Sequence, residues 1–196
     1  MAAQSLQSTV STKSTFGSAN IYLVPSFDLA QLDSEITAKL IEANLLVITD
    51  DGTNFEETKE IHSTQLAGFN EKRVQGFENV IRAEGKISAT GRLVNKKLLE
   101  ASLYTKDTNT STAYEVYSVK EGTIADAQYN DIVMVGVNKA GEKAQMILLQ
   151  NAYNENLSIE TKASDDGTCK VEFVSAYDLG KLNEVPYKII TLKETV

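Results

Sequence analysis

Tryptophan is absent from this chain, and histidine and cysteine occur once each. Those shortages remove most of the side chains from which metal centres and nucleophilic sites are built. One histidine cannot make a His-rich metal site. A single cysteine, Cys169, excludes an intrachain disulfide. In Gly167-Thr168-Cys169-Lys170-Val171-Glu172-Phe173 the alternation places Cys169 with Val171 and Phe173 on the inward face of a strand, as a small buried hydrophobe. His62 lies in the polar stretch Thr53–Phe69, with nothing nearby to form a nucleophile and base, and reads as an exposed loop residue. With 8 Tyr, 6 Phe and no Trp, there is little material for a sugar-stacking platform. Long apolar runs are also missing. No window reaches a membrane span, and Met1–Asn20 has no apolar core of signal-peptide length. The expectation is a protein made, and first kept, in a cytoplasm. Positive charge is short as well: 19 Lys and Arg stand against 27 Asp and Glu, a net charge of −8. That balance argues against a nucleic-acid-binding surface or an anionic-membrane binder; an acidic surface repels DNA and keeps a protein soluble.

Catalytic motifs are absent too. There is no nucleophile elbow, phosphate-binding glycine loop or zinc-binding pattern. Gly136 and Gly141 have the glycine spacing of a phosphate loop, but Glu142-Lys143 follows where Lys and then Ser or Thr would be needed. Carboxylate pairs are plentiful at Glu56-Glu57, Asp50-Asp51 and Asp165-Asp166. Two of these pairs precede glycine, where turn chemistry explains them. Asp50-Asp51-Gly52-Thr53-Asn54 resembles a calcium loop only faintly, and nothing selects one pair over another for glycoside chemistry. The sequence therefore implies no catalytic residue, no cofactor and no metal.

What is present is a strand that feeds a capped helix. In Lys86-Ile87-Ser88-Ala89-Thr90-Gly91-Arg92-Leu93, small or apolar residues alternate with polar ones, giving one buried and one wet face. The pattern breaks at Asn95, a good N-cap. Val94 and Leu99 stand at the positions of a hydrophobic staple, and Leu98, Leu99 and Leu103 give an apolar stripe. Elsewhere the chain reads as short strands. These are Ile21–Val24, Leu45–Ile48 (stopped by Asp50-Asp51-Gly52), Tyr114–Val119 and Tyr187–Leu192. A four-strand meander is expected over Asp131–Val137, Lys143–Gln150, Leu157–Lys162 and Cys169–Ala176. Its turns fall at Lys139–Gly141, around Asn154 and at Asp165-Asp166-Gly167. Asp33 can cap a helix with Ile36, Leu40 and Ala43 inward. Val74–Ala83 and Lys86–Val94 are two strand segments around Gly85, or one strand bulged there. Thr105–Ser111 reads as a polar loop.

The expected architecture is mainly β: a β-sandwich or split barrel of antiparallel strands with one flanking α-helix. A length of 196 residues suits one domain with an arm. The Ser- and Thr-rich residues 1–18 form an arm, either disordered or ordered on assembly, and 19–196 the domain, with a long loop near 51–75.

The run Val74-Gln75-Gly76-Phe77-Glu78-Asn79-Val80, then Lys86–Leu93, then Asn95-Lys96-Lys97-Leu98-Leu99-Glu100-Ala101, resembles the middle of phage tail tube proteins, the major tail proteins of long-tailed phages. Met146-Ile147-Leu148-Leu149 and the closing Tyr187-Lys188-Ile189-Ile190 fit the same pattern. The Asp33–Ala43 helix departs from it. The resemblance implies a structural virion protein that forms hexameric rings. The rings stack into a hollow tube through which DNA passes without specific binding, and the inner sheets of neighbouring copies join into one channel. It further implies assembly in a host cytoplasm, residence in the virion tail, and tape-measure, tail terminator and tail-tip proteins as partners, with no membrane. The arm and the long loop would reach the next ring. That makes Val10, Phe16, Asp51, Asn54, Phe55, Glu57, His62, Phe69 and Arg73 candidate inter-subunit contacts. Ser88, Thr90, Ser158, Glu160 and Thr161 have the character of a channel lining. The alternatives are a capsid decoration protein, the tube of a contractile tail, or a ligand- or carbohydrate-binding β-sandwich.

Overall fold

Hydrogen bonding in this chain runs in a closed circuit. The computed structural model describes residues 16–63, 75–92, 95–109, 111–138, 143–161 and 167–191. Within them lie β1 (Phe16–Val24), α1 (Leu32–Lys39), β2 (Leu45–Ser63), β3 (Glu78–Gly91), α2 (Lys96–Ala101), β4 (Tyr104–Asp107), β5 (Val116–Val119), β6 (Asn130–Asn138), β7 (Lys143–Glu160), β8 (Thr168–Val174) and β9 (Tyr187–Thr191). β6 pairs with β1, β1 with β2, β2 with β3, β3 with β8, β8 with β7, and β7 again with β6. All of these pairs are antiparallel, and β9 adds to β7. The mainly β, antiparallel architecture expected from the sequence is the one observed, and helices stand both in the Asp33–Ala43 region and after Asn95. A small hairpin, β4–β5, stands apart from the circuit.

Two long strands turn this circuit into two sheets. The first half of β2 pairs with β1, and its second half with β3. Likewise β7 pairs with β6 and β9 through its first half and with β8 through its second. Each strand must bend sharply where it changes sheets. On β2 the register slips between Thr49 and Thr53, and Gly52 has φ of +94°, a backbone shape suited to glycine. The Thr49 hydroxyl pins this corner by donating to the Ala19 carbonyl at 2.6 Å. On β7 the corner is Asn151, with φ of +49°; Asn is among the few side chains that tolerate that region. The buried Asp131 carboxylate holds it, accepting from Asn151 N–H at 3.2 Å and Phe27 N–H at 2.7 Å. Burial raises the Asp131 pKa above the ordinary carboxylate value, and the two N–H donors oppose that rise.

The core lies between the sheets. Ile21, Leu46, Val47, Ile87, Ile132, Ile147, Leu149, Val171 and Phe173 meet there, and Leu98 and Ala101 of α2 join them. The outer face of the first sheet is covered too. Val133, Val135, Met146 and Leu148 pack with Val24, Phe27 and Leu40, and with Leu32 and Ile36 of α1. Burial on both faces explains why Met146-Ile147-Leu148-Leu149 is continuously apolar whereas β3 and β8 alternate. Asn95 caps α2 as the sequence indicates, accepting from Leu98 N–H at 2.8 Å, and its amide donates to the Leu45 carbonyl at 3.1 Å. Asn154, 2% exposed, ties the helix end to the second sheet. It donates to Ser102 Oγ at 2.8 Å and accepts from Glu172 N–H at 2.7 Å.

Several boundaries differ from the sequence reading. β2 does not stop at Asp50-Asp51-Gly52. It turns there and runs on to Ser63, so residues 51–63 of the expected loop are strand. β7 continues through Asn154, where a turn is expected, because a bulge between Asn154 and Asn156 absorbs the irregularity. Three strands therefore replace the four-strand meander. β3 is one strand without a bulge at Gly85; the slip lies opposite Glu60 and Ile61. Asp33 is not a cap, since α1 begins at Leu32 and Asp28 caps the preceding turn instead. Ile36 and Leu40 face inward as expected, while Ala43 is exposed. Leu103 lies beyond α2 with φ of +64°. Residues 105–107 of the expected Thr105–Ser111 loop belong to the strand Tyr104–Asp107. Residues 16–18, given to the arm, belong to β1. Val94, the Lys139–Gly141 turn and Asp165-Asp166 lie outside the described residues.

Candidate assembly surface

The second sheet, built from the far half of β2, β3, β8 and the far half of β7, has one apolar face and one polar face. Inward go Phe55, Ile87, Ala89, Val171, Phe173 and Leu157. Outward, the register sets Asn54, Ser88, Glu172 and Asn156 in one row and Thr90, Lys170 and Ser158 in the next. These side chains line a shallow trough of about 400 Å³. Glu56, Glu60, Glu84, Glu160 and Glu172 share this face with Arg82, Lys86 and Lys170, so its charge is negative. Lys86 reaches Glu172 at 3.1 Å. Of the channel-lining candidates, Ser88, Thr90 and Ser158 meet in the trough and Glu160 shares their face. Thr161 lies just past the end of β7.

This sheet also has two open sides. Among the described residues no strand lies against the outer edge of β2 from Thr53 to Ser63. None lies against the second edge of β7 from Tyr153 to Glu160 either. Open edges are templates for strand addition. β2 and β3 also run past the body together as a two-stranded ribbon. β8 accompanies β3 only from Gly91 back to Lys86. Beyond Ala83 the ribbon is wet on both faces, and Ile61, Val80 and Ile81 are 50%, 56% and 58% exposed.

The structure separates the nine contact candidates. Val10, Phe69 and Arg73 lie outside the described residues. Phe16 and Asp51 are strand residues, in β1 and at the β2 corner. Asn54 is exposed on the trough face and His62 is exposed on the ribbon opposite Asn79. Phe55 points inward and tilts against Tyr187, ring centroids 5.6 Å apart. Glu57 accepts from the Tyr187 hydroxyl and pairs with Lys59 at 2.7 Å. Phe55 and Glu57 are thus engaged within their own chain. Sequence reasoning missed Tyr187, Ser175 and Tyr177, whose partners lie 90 to 130 residues away.

The buried Cys169 is held on the inward face as expected, and burial raises its pKa. Among the described residues, no three His, Cys, Asp or Glu side chains gather as metal ligands. No helix among them is long and apolar enough to cross a membrane.

The fold defines a class: a β protein of two antiparallel sheets that share two bent strands, with a projecting ribbon. Solved structures similar to it include a chain of the PVC sheath–tube complex of an extracellular contractile injection system in the extended state. That chain is 9% identical with a TM-score of 0.48, over 94% of this chain and 97% of that one. A chain of the anti-feeding prophage cap, the tube-terminating cap, is 10% identical with a TM-score of 0.47, over 89% and 88%. The crystal structure of an Hcp protein is 12% identical with a TM-score of 0.32, over 80% and 87%. No protein-family model matches the sequence, and no curated protein matches it.

Proposed function

We propose that this chain is the structural subunit of a tail tube, assembling as hexameric rings that stack around a channel through which DNA passes. The observation that carries the reading is the second sheet: polar and negative on one face, apolar on the other, open at two different edges. An interface made from two different edges is head-to-tail, and such contacts repeat until a ring closes. Closure pairs the two open edges of the second sheet, removing their aggregation hazard. The trough face then lines the channel, where its excess of glutamate repels the DNA backbone instead of holding it. The ribbon projects out of the sheet toward a stacked ring, together with the N-terminal arm. In this reading the protein catalyses nothing, resides in the virion tail after assembly in a host cytoplasm, and meets tape-measure, terminator and tip proteins at the tube's ends.

The test is negative-stain electron microscopy of the concentrated protein, with sedimentation of the same sample. Hollow tubes or six-membered rings are expected. Open filaments without a channel, or a species that binds capsids and never forms rings, would replace this reading with that of a decoration protein.

A further inference from the structure

β8 leaves β3 after Val174, whose partner is Lys86. The edge of β3 beyond that rung is not bare. Gly85 N–H donates to Ser175 Oγ at 3.1 Å, and the Ser175 hydroxyl and N–H both donate to the Gly85 carbonyl at 3.1 Å. Two residues further along, Ala83 N–H donates to the Tyr177 hydroxyl at 2.8 Å, and that hydroxyl donates back to the Ala83 carbonyl at 2.7 Å. Residues two apart on a strand present their backbone groups to the same edge. Each hydroxyl therefore serves one residue as a neighbouring strand would, since it can accept and donate at once. Solvent takes over where the hydroxyls stop: Ala83 is 1% exposed, and Ile81, where the register with β2 slips, is 58% exposed.

We propose that Ser175 and Tyr177 form a latch. It fixes the point at which the β2–β3 ribbon leaves the body and closes the β3 edge at Ala83 and Gly85 to a strand from another molecule. The two are positioning residues, acting through the ribbon. The latch is a property of a single chain; its bearing on ring stacking rests on the tube reading above. With both hydroxyls in place, strand addition on this side of the ribbon begins only beyond Ala83, and the ribbon's direction is set before any partner arrives.

Residue-resolved amide hydrogen exchange on the dilute, full-length protein tests this. Tyr177→Phe keeps the ring and removes only the hydroxyl. The Ala83 amide is expected to exchange about tenfold faster, in line with loss of one hydrogen bond, while the amides of Cys169 and Val171 keep their wild-type rates. Ser175→Ala is expected to accelerate Gly85 in the same way. Unchanged rates at Ala83 and Gly85 would overturn the latch. So would equal acceleration at Cys169 and Val171, since the hydroxyls would then contribute only to global stability. Because the exchange is read on single molecules, a wild-type protein that forms neither tubes nor rings would defeat the tube reading and leave the latch standing.

Discussion

Gly91→Ala probes the crossing of the two sheets directly. Gly91 ends β3 between Thr49 of β2 and Cys169 of β8. A Cβ built there lies inside contact distance of Val47 Cγ1 and 2.5 Å from the Ile48 carbonyl oxygen. The valine methyl can rotate away, but the carbonyl belongs to the β2 corner and has to retreat with its backbone. Replacing glycine at a site free of strain stabilises by roughly 0.4–1 kcal/mol through the unfolded chain. Overpacking a dense interior costs about 1–3 kcal/mol. The second effect is expected to win, for a net loss of about 1–2 kcal/mol. For a domain of this size that is a fall in Tm of about 2–8 °C, read by circular dichroism or calorimetry. Gly52→Ala is the control. Its φ is +94° but nothing lies within 4 Å of the new methyl, so only the backbone preference of about 1 kcal/mol is at stake. A Gly91→Ala protein as stable as wild type, or more so, would refute the argument that the sheets touch backbone to side chain at this point.

Asn154→Ala is expected to destabilise by about 1–3 kcal/mol in urea denaturation, because it leaves Glu172 N–H without its acceptor and removes the amide that donates to Ser102 Oγ, whose own hydrogen bond to the Leu98 carbonyl remains. Asp131→Asn has a pH signature. The raised pKa of Asp131 means the folded state holds the proton more tightly than the unfolded one. Its contribution is therefore full below the ordinary value of about 3.9 and is lost as pH rises through the folded value. The stability difference, wild type minus variant, should fall across that window and then level off; a difference that rises with pH contradicts the burial argument. On the tube reading, ring assembly should strengthen with salt, since both open edges carry glutamates: Glu56 and Glu60 on β2, and Glu155 and Glu160 on β7. Raising ionic strength from about 0.01 M to about 1 M shortens the screening length from about 30 Å to about 3 Å, so the sedimenting fraction should grow; a fraction that shrinks would place attractive charge pairs at the joint.

How much of this was legible in the sequence depends on the range of the interaction involved. The Asn95 cap and the period-two face of β3 are local, and both were readable. Cys169 inward with Val171 and Phe173 is local too. The corners misled because Asp50-Asp51-Gly52 and Asn151–Asn154 carry the residues of a turn, and the backbone does turn there, yet the strand resumes on another sheet. Turn chemistry reports a change of direction, not the end of pairing. Phe55 and Glu57 looked like loop residues because their partner, Tyr187, is 130 residues away from Glu57. The Ser175 and Tyr177 hydroxyls left no periodic signal, since they replace a strand without forming one. The two open edges are likewise invisible in sequence, because an edge is defined by the strand that does not arrive.

Threading β2 and β7 through both sheets has a mechanical consequence. A pull on the trough face along either strand travels down a continuous covalent chain into the other sheet. There it meets hydrogen bonds roughly perpendicular to the load, which must break together in shear. Two separate sheets held only by side chains would peel apart one contact at a time. The bends at Gly52 and Asn151 thus make the inner and outer layers a single stiff body, so torque applied at one layer is delivered to the other with little lost motion.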